Sequence, residues 1–97
     1  MNRKIFVISY DLRSTFWRNY NGFYGALRSY PHWMHHIENT WLISVPSNTT
    51  AVQIYNQLAP YIFADCHILI IEVNPTNYYG ILPPDAWTWI ETNKLPL

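Results

Sequence analysis

The acid that closes the stretch Lys4-Ile5-Phe6-Val7-Ile8-Ser9-Tyr10-Asp11 is the residue best placed to do chemistry. A continuous apolar run rich in β-branched and aromatic residues reads as a strand in the middle of a sheet. Asp11 then stands where the strand leaves the core and can meet a ligand. Near the twofold axis of a dimer, its carboxylate could meet its symmetry mate across one divalent ion. Mg²⁺ and Mn²⁺ take oxygen ligands and keep several waters, so two carboxylates and a phosphate suffice. Such an ion generates hydroxide and polarises a phosphoryl group. Arg13 and Arg18 follow closely and can hold phosphate oxygens. The competing account is structural: an Asp that caps a turn through its own backbone.

Other titratable groups make weaker patterns. His32, His35 and His36 belong to a type that titrates near neutrality and suits acid–base cleavage. On a strand His35 and His36 point to opposite faces, so only His32 and His36 would share one, together with Glu38. Without a second ligand-rich segment this is a poor zinc pattern, and partly exposed histidines on an edge strand explain it. Cys66-His67 has no recognisable third partner for nucleophilic catalysis, and Asp65 reads as a turn acid. No phosphate-cradling glycine loop, nucleophile elbow or dinucleotide fingerprint is present. Tyr78, Tyr79 and Trp89 could stack on bases, although core or interface packing accounts better for most of them.

Only 12% of the 97 residues are charged and 18% are aromatic, with five Trp and eight Tyr. A chain of this size makes one domain, residues 1–97, with a modest core. So few charges imply a sticky exterior, part of which is hidden in a partner. Arg3, Lys4, Arg13, Arg18 and Arg28 outweigh Asp11 in the first 30 residues, whereas Lys94 alone opposes five acids in the remainder. A reader of polyanions would have to gather its basic groups in that first third. The single cysteine excludes an intramolecular disulfide and fits a reducing compartment. The first apolar stretch is too short for a signal peptide, and none reaches transmembrane length. A cytoplasmic protein with no membrane contact is the expectation.

The elements that must position Asp11 follow from periodicity. Residues 12–19 read as a loop. Tyr20, Phe23, Tyr24 and Leu27 mark one helix face, weakened by Gly22 and Gly25 and ended by Pro31. Trp33–Ile37 and Thr40–Val45 flank Glu38-Asn39 as a hairpin. Thr50 and Gln53 form a capping box for a helix carrying Ala51, Ile54, Leu58 and Ile62, which Pro60 limits. His67–Val73 is a second strongly apolar strand, and Pro83-Pro84-Asp85 opens a short terminal helix. The order βαββαβ plus an extension predicts an α+β, ferredoxin-like domain with an antiparallel sheet, strand order 4-1-3-2, and two helices on one face. Such a sheet should alternate apolar and polar residues, yet Ile5–Ile8 and Ile68–Ile71 are apolar on both faces. Something must cover the far face. A second copy under twofold symmetry is expected first, and folding-back of the segment with Trp87, Trp89 and Ile90 second.

Across nearly the whole chain, short motifs resemble the CRISPR-associated protein 2 and virulence-associated protein D superfamily, most closely its small SinR-family proteins. The resemblance is carried by Ser9-Tyr10-Asp11-Leu12, the Trp33/His35 region, Thr40-Trp41-Leu42-Ile43, Asp65 with its following strand, and Gly80-Ile81-Leu82-Pro83 with Trp87 and Trp89. It implies a ferredoxin-like homodimer in which Asp11 binds Mg²⁺ or Mn²⁺ for cleavage of RNA or DNA, with Ser9 and Tyr10 as its substrate-side neighbours. Other members of the superfamily are non-catalytic and hold DNA. The expected function is therefore a metal-dependent endonuclease acting as a homodimer. The alternative is a non-catalytic dimeric module whose aromatic surface binds a protein partner.

Overall fold

The structure, a computed structural model, describes residues 2–11, 20–62 and 66–94. Strand β1 (Arg3–Asp11) leads to helix α1 (Tyr20–Arg28), then strands β2 (His32–Ile37) and β3 (Thr40–Pro46). Helix α2 (Ala51–Leu58) passes into a 3-10 turn at Ala59–Tyr61, and strand β4 (His67–Val73) precedes helix α3 (Pro84–Asn93). The fold is α+β: among the described residues, one four-stranded antiparallel sheet and three α-helices. The strands lie in the order β2-β3-β1-β4, which is 4-1-3-2 read from the other edge.

Local chemistry explains the boundaries. Thr50 caps α2 by accepting from the Gln53 amide at 3.2 Å, while Gln53 Oε1 accepts from the Thr50 amide at 2.9 Å. This is the reciprocal capping box expected from the sequence. Pro60 lacks the amide an α-helix needs, so the regular helix stops at Leu58 and tightens into the 3-10 turn. The β2–β3 hairpin pairs Met34 with Leu42 but Ile37 with Thr40, so a bulge falls at His35-His36.

Alternation along β1 divides the sheet into two faces. Phe6, Ile8 and Tyr10 join Trp41, Ile43 and Val45 against Phe23 and Leu27 of α1 and Ile54 and Leu58 of α2. The opposite face is only partly covered, and the cover is α3. Ala86 and Ile90 pack on Met34 and Leu42, with Tyr78, Leu82, Trp87 and Trp89 around them. Of the two covers expected from the sequence, the C-terminal segment is thus in place over the β2-β3-β1 side of the sheet. Toward β4 the same face stays open: Leu69 is 58% and Ile71 48% exposed. Glu91 at the end of α3 accepts from the Tyr78 hydroxyl and, at 3.2 Å, from Lys94. This clasp ties the helix to the segment that precedes it. No helix among the described residues is long and apolar enough to cross a membrane.

The two glycines of α1 differ in surroundings. A Cβ on Gly22 would lie 2.7 and 2.9 Å from two ring carbons of Tyr61, whereas one on Gly25 meets no described atom within 4 Å. Gly25→Ala should therefore stabilise by about 0.5–1 kcal/mol, the usual gain in helix propensity. Gly22→Ala carries the same gain but must displace the ring, at about 1–3 kcal/mol. Urea titrations should show midpoints moving in opposite directions, and a Gly22→Ala protein as stable as Gly25→Ala would contradict the close packing of α1 on the 3-10 turn.

Candidate functional site

Asp11 is exposed at the end of β1, with His67 as its Cα partner across the β1–β4 pair. Directly opposed residues of antiparallel strands point to the same side of a sheet. The carboxylate and the imidazole are therefore neighbours on one face. Ser9 lies one pleat back, opposite Thr40 on β3 and Leu69 on β4. The open half of the far face thus has a polar end carrying a carboxylate, an imidazole and two hydroxyls, followed by the uncovered Leu69 and Ile71.

Tyr10 points the other way. It is 5% exposed and packs edge-on against Phe23 with ring centroids 4.9 Å apart. Its hydroxyl accepts from Trp41 Nε1 at 2.9 Å and donates to the Glu38 carbonyl at 3.0 Å, while its amide donates to the Asn39 carbonyl at 3.1 Å. Tyr10, expected as a substrate-side neighbour, is thus a buried residue that ties the end of β1 to the hairpin turn, beside the point where Asp11 emerges. Strand alternation alone separates Tyr10 from Ser9 and Asp11. Arg13 and Arg18, expected to hold phosphate oxygens, lie outside the described residues, as does Asp65.

The histidines of β2 do not act as a group. His35 stacks on Trp41 with centroids 4.0 Å apart and planes 11° from parallel, and its Nε2 is 2.9 Å from the Glu38 carbonyl. His36 Nε2 lies 3.6 Å from an Asp85 carboxylate oxygen at the start of α3. The bulge explains the split, because it places two residues of β2 against one of β3. Trp33, Trp41 and Tyr24 extend the stack into an aromatic wall, and Trp33 is its most exposed ring at 38%. Of the three rings read as base-stacking candidates, Tyr79 is fully exposed, whereas Tyr78 and Trp89 pack partly against the Met34 cluster.

His67 is the site residue that sequence reasoning missed. It is far from Asp11 in the chain, and only the β1–β4 register brings the two level. The signal was available in the near-equal length of two apolar strands that each meet a polar residue at one end. Among the described residues no group of three or more His, Cys, Asp or Glu side chains comes together. Any ion held at Asp11 would thus need ligands from beyond those residues, from a second copy or from substrate. No protein-family model matches the chain, and no curated protein or solved structure matches it either.

Proposed function

We propose that the chain is a ferredoxin-like domain of the CRISPR-associated protein 2 kind, acting as a homodimeric, metal-dependent endonuclease with Asp11 as its metal-binding and catalytic carboxylate. One observation carries the reading. Asp11, Ser9 and His67 share the polar end of a sheet face whose apolar remainder, Leu69 and Ile71, is left bare beside α3. A second copy packed on that bare half would bury the two apolar side chains and bring two Asp11 carboxylates toward one axis.

The residues fit a hard divalent cation in donor type, since a carboxylate oxygen is what Mg²⁺ and Mn²⁺ prefer. Such an ion, held by Asp11 of both copies, would supply Lewis-acid polarisation of a phosphodiester. His67 contributes an imidazole, a side chain able to take or give a proton, on the same face. Ser9 and Thr40 contribute hydroxyls that can bond phosphate oxygens, and Arg13 and Arg18 follow Asp11 closely enough in the chain to neutralise them.

The mode of pairing matters. If two β4 edges joined antiparallel about Ile70, His67 would face Val73 of the other copy. The two Asp11 residues would then lie six residues apart along the strands, about 20 Å at ~3.3 Å per residue. One ion cannot span that gap, so the nuclease reading requires packing of faces rather than of edges.

Tyr79 and Ile81, essentially fully exposed on the segment before α3, favour a second reading: a non-catalytic module that binds a protein partner through apolar surface. One set of proteins separates the two. Wild type incubated with labelled RNA and DNA in Mg²⁺ or Mn²⁺ should cleave, and both chelator and Asp11→Asn should reduce cleavage by at least about a hundredfold, as expected for loss of a metal-held nucleophile. Light scattering of the wild type should give a dimer that Leu69→Glu dissociates. A dimer without metal-dependent cleavage would favour the binding module, and a monomer would remove the shared Asp11 site.

A further inference from the structure

At the opposite end of β1 from Asp11, eight residues or about 26 Å away at ~3.3 Å per residue, a half-open cavity of about 520 Å³ lies between β3 and α2. Among the described residues, Arg3 is the only charged one in its wall, and none of those lining it is acidic. The guanidinium is held from behind. Arg3 Nε donates to Ser44 Oγ at 3.0 Å and Nη2 to the Ser44 carbonyl at 2.5 Å. Ser44 is completely buried and is the one buried polar residue among those described, so the anchor is fixed by the core. A guanidinium carries five N–H donors, and these two bonds leave others for a ligand.

Side-chain amides supply further donors to the polar wall, which Thr49 and Asn56 complete. Gln53 and Gln57 stand one helical turn apart on α2 and both line the cavity. The Oε1 of Gln53 is already engaged by the Thr50 amide, and that of Gln57 by the Tyr30 hydroxyl. Each glutamine therefore has its NH₂ group left to offer. Burial also raises the pKa of Tyr30, which keeps the phenol protonated and able to make that bond. Donors converge from a strand on one side and a helix on the other, around one fixed positive charge. The capping box consumes the first-turn amide of Gln53, so the end of the helix is not what attracts the ligand.

We infer that this cavity is a binding site for a small phosphate-bearing ligand, held by Arg3 with Gln53 and Gln57. A surplus of donors without competing carboxylates is the requirement for an oxyanion. Donors arriving from two elements suit a tetrahedral group better than a planar carboxylate. The buried Ile54 and neighbouring Val45, with Pro46, supply an apolar patch for the organic body attached to the phosphate.

The test is a titration of ¹⁵N-labelled protein with inorganic phosphate, adenosine monophosphate and acetate at constant ionic strength and pH. Amides of Arg3, Ser44, Gln53 and Gln57 should shift saturably with both phosphates, and adenosine monophosphate should bind more tightly. Arg3→Gln should weaken binding at least about tenfold, as loss of a charge-assisted hydrogen bond demands. Gln57→Leu, which leaves the Ser44 anchor untouched, should weaken it several-fold in a protein that folds normally. Linear, non-saturating shifts would overturn the assignment. So would equal binding by Arg3→Gln and wild type, or saturation by acetate with none by phosphate. Because the Asp11 end is remote, Asp11→Asn should bind phosphate as the wild type does even if it fails to cleave.

Discussion

Trp41→Ala should cost about 3–5 kcal/mol, the range for truncating a fully buried large aromatic residue. A domain of this length holds roughly 5–15 kcal/mol in total, so about a fifth of its stability or more is at risk. Trp41 is 1% exposed and lies near the start of β3, the strand between β1 and β2. Its ring is met edge-on by Tyr24 at 5.4 Å, face-on by His35 at 4.0 Å and at a tilt by Trp33 at 5.2 Å. Two losses add to the cavity. Tyr10 loses the indole donor that fixes its hydroxyl, and His35 loses the surface it stacks on. Trp41→Phe separates these contributions. It keeps most of the apolar contact, so its cost should fall to roughly 1–2 kcal/mol, of which about 1 kcal/mol reflects the missing indole N–H. Urea unfolding followed by far-ultraviolet circular dichroism, at unchanged slope, gives both numbers. If Trp41→Ala cost less than about 1.5 kcal/mol, the aromatic wall would be surface decoration rather than core.

What the sequence disclosed follows the strength of each local signal. The strand at Lys4–Asp11 was legible because its apolar run is continuous and ends on a charge. The start of α2 was legible because Thr50 and Gln53 are a matched pair of caps. The end of α2 was legible as a limit set by Pro60, though not as a 3-10 turn. The bulge at His35-His36 was not legible, since two histidines on a strand read as simple alternation until the register with β3 is known. The alternation rule did foretell that the two would part. The far face was legible as a problem, from the uninterrupted apolar runs Ile5–Ile8 and Ile68–Ile71, but not in its solution. Whether α3 or a second copy lies on that face depends on where a ten-residue helix docks, which no local pattern encodes.

The candidate site divides in the same way. Asp11 and Ser9 could be placed on one face by counting. Tyr10, adjacent to both, falls on the other face by the same count, and the resemblance to other proteins had obscured that. His67 and Thr40 became neighbours of the site only through strand pairing. The Arg3 cavity has no sequence motif at all. It arises because a core serine holds an arginine and a capping box and a tyrosine occupy two glutamine oxygens, and each of those facts is a contact between distant parts of the chain.

Ile90→Asp should release α3 from the sheet and leave the rest of the fold standing. Ile90 is 6% exposed and packs with Ala86 on Met34. A carboxylate there would sit in an apolar cluster, and burying it would cost several kcal/mol. The chain has a cheaper escape. The Met34 cluster is separate from the core under α1 and α2, so α3 can undock at the price of exposing Met34, Leu42 and the tryptophans around them. Hydrogen exchange should then show amides of α3 losing protection by a hundredfold or more while those of β1 and β3 keep theirs. Emission from Trp87 and Trp89 should shift to the red. Ile90→Val, which removes one methylene, should cost only about 0.5–1.5 kcal/mol and leave the helix docked. Acid should act in the same direction as Ile90→Asp, though weakly. The hydrogen bond from Tyr78 first, and Lys94 second, hold Glu91 below its ordinary value of 4.5. A carboxylate with a lowered folded pKa contributes stability that is complete above the unfolded value and disappears as pH falls through the folded one. The clasp on α3 should therefore loosen below about pH 4.5, while the core under α1 and α2 stays protected. If β1 and β3 lost protection together with α3 in Ile90→Asp, the two clusters would be one cooperative unit, and α3 would be part of the core rather than a cover laid on the sheet.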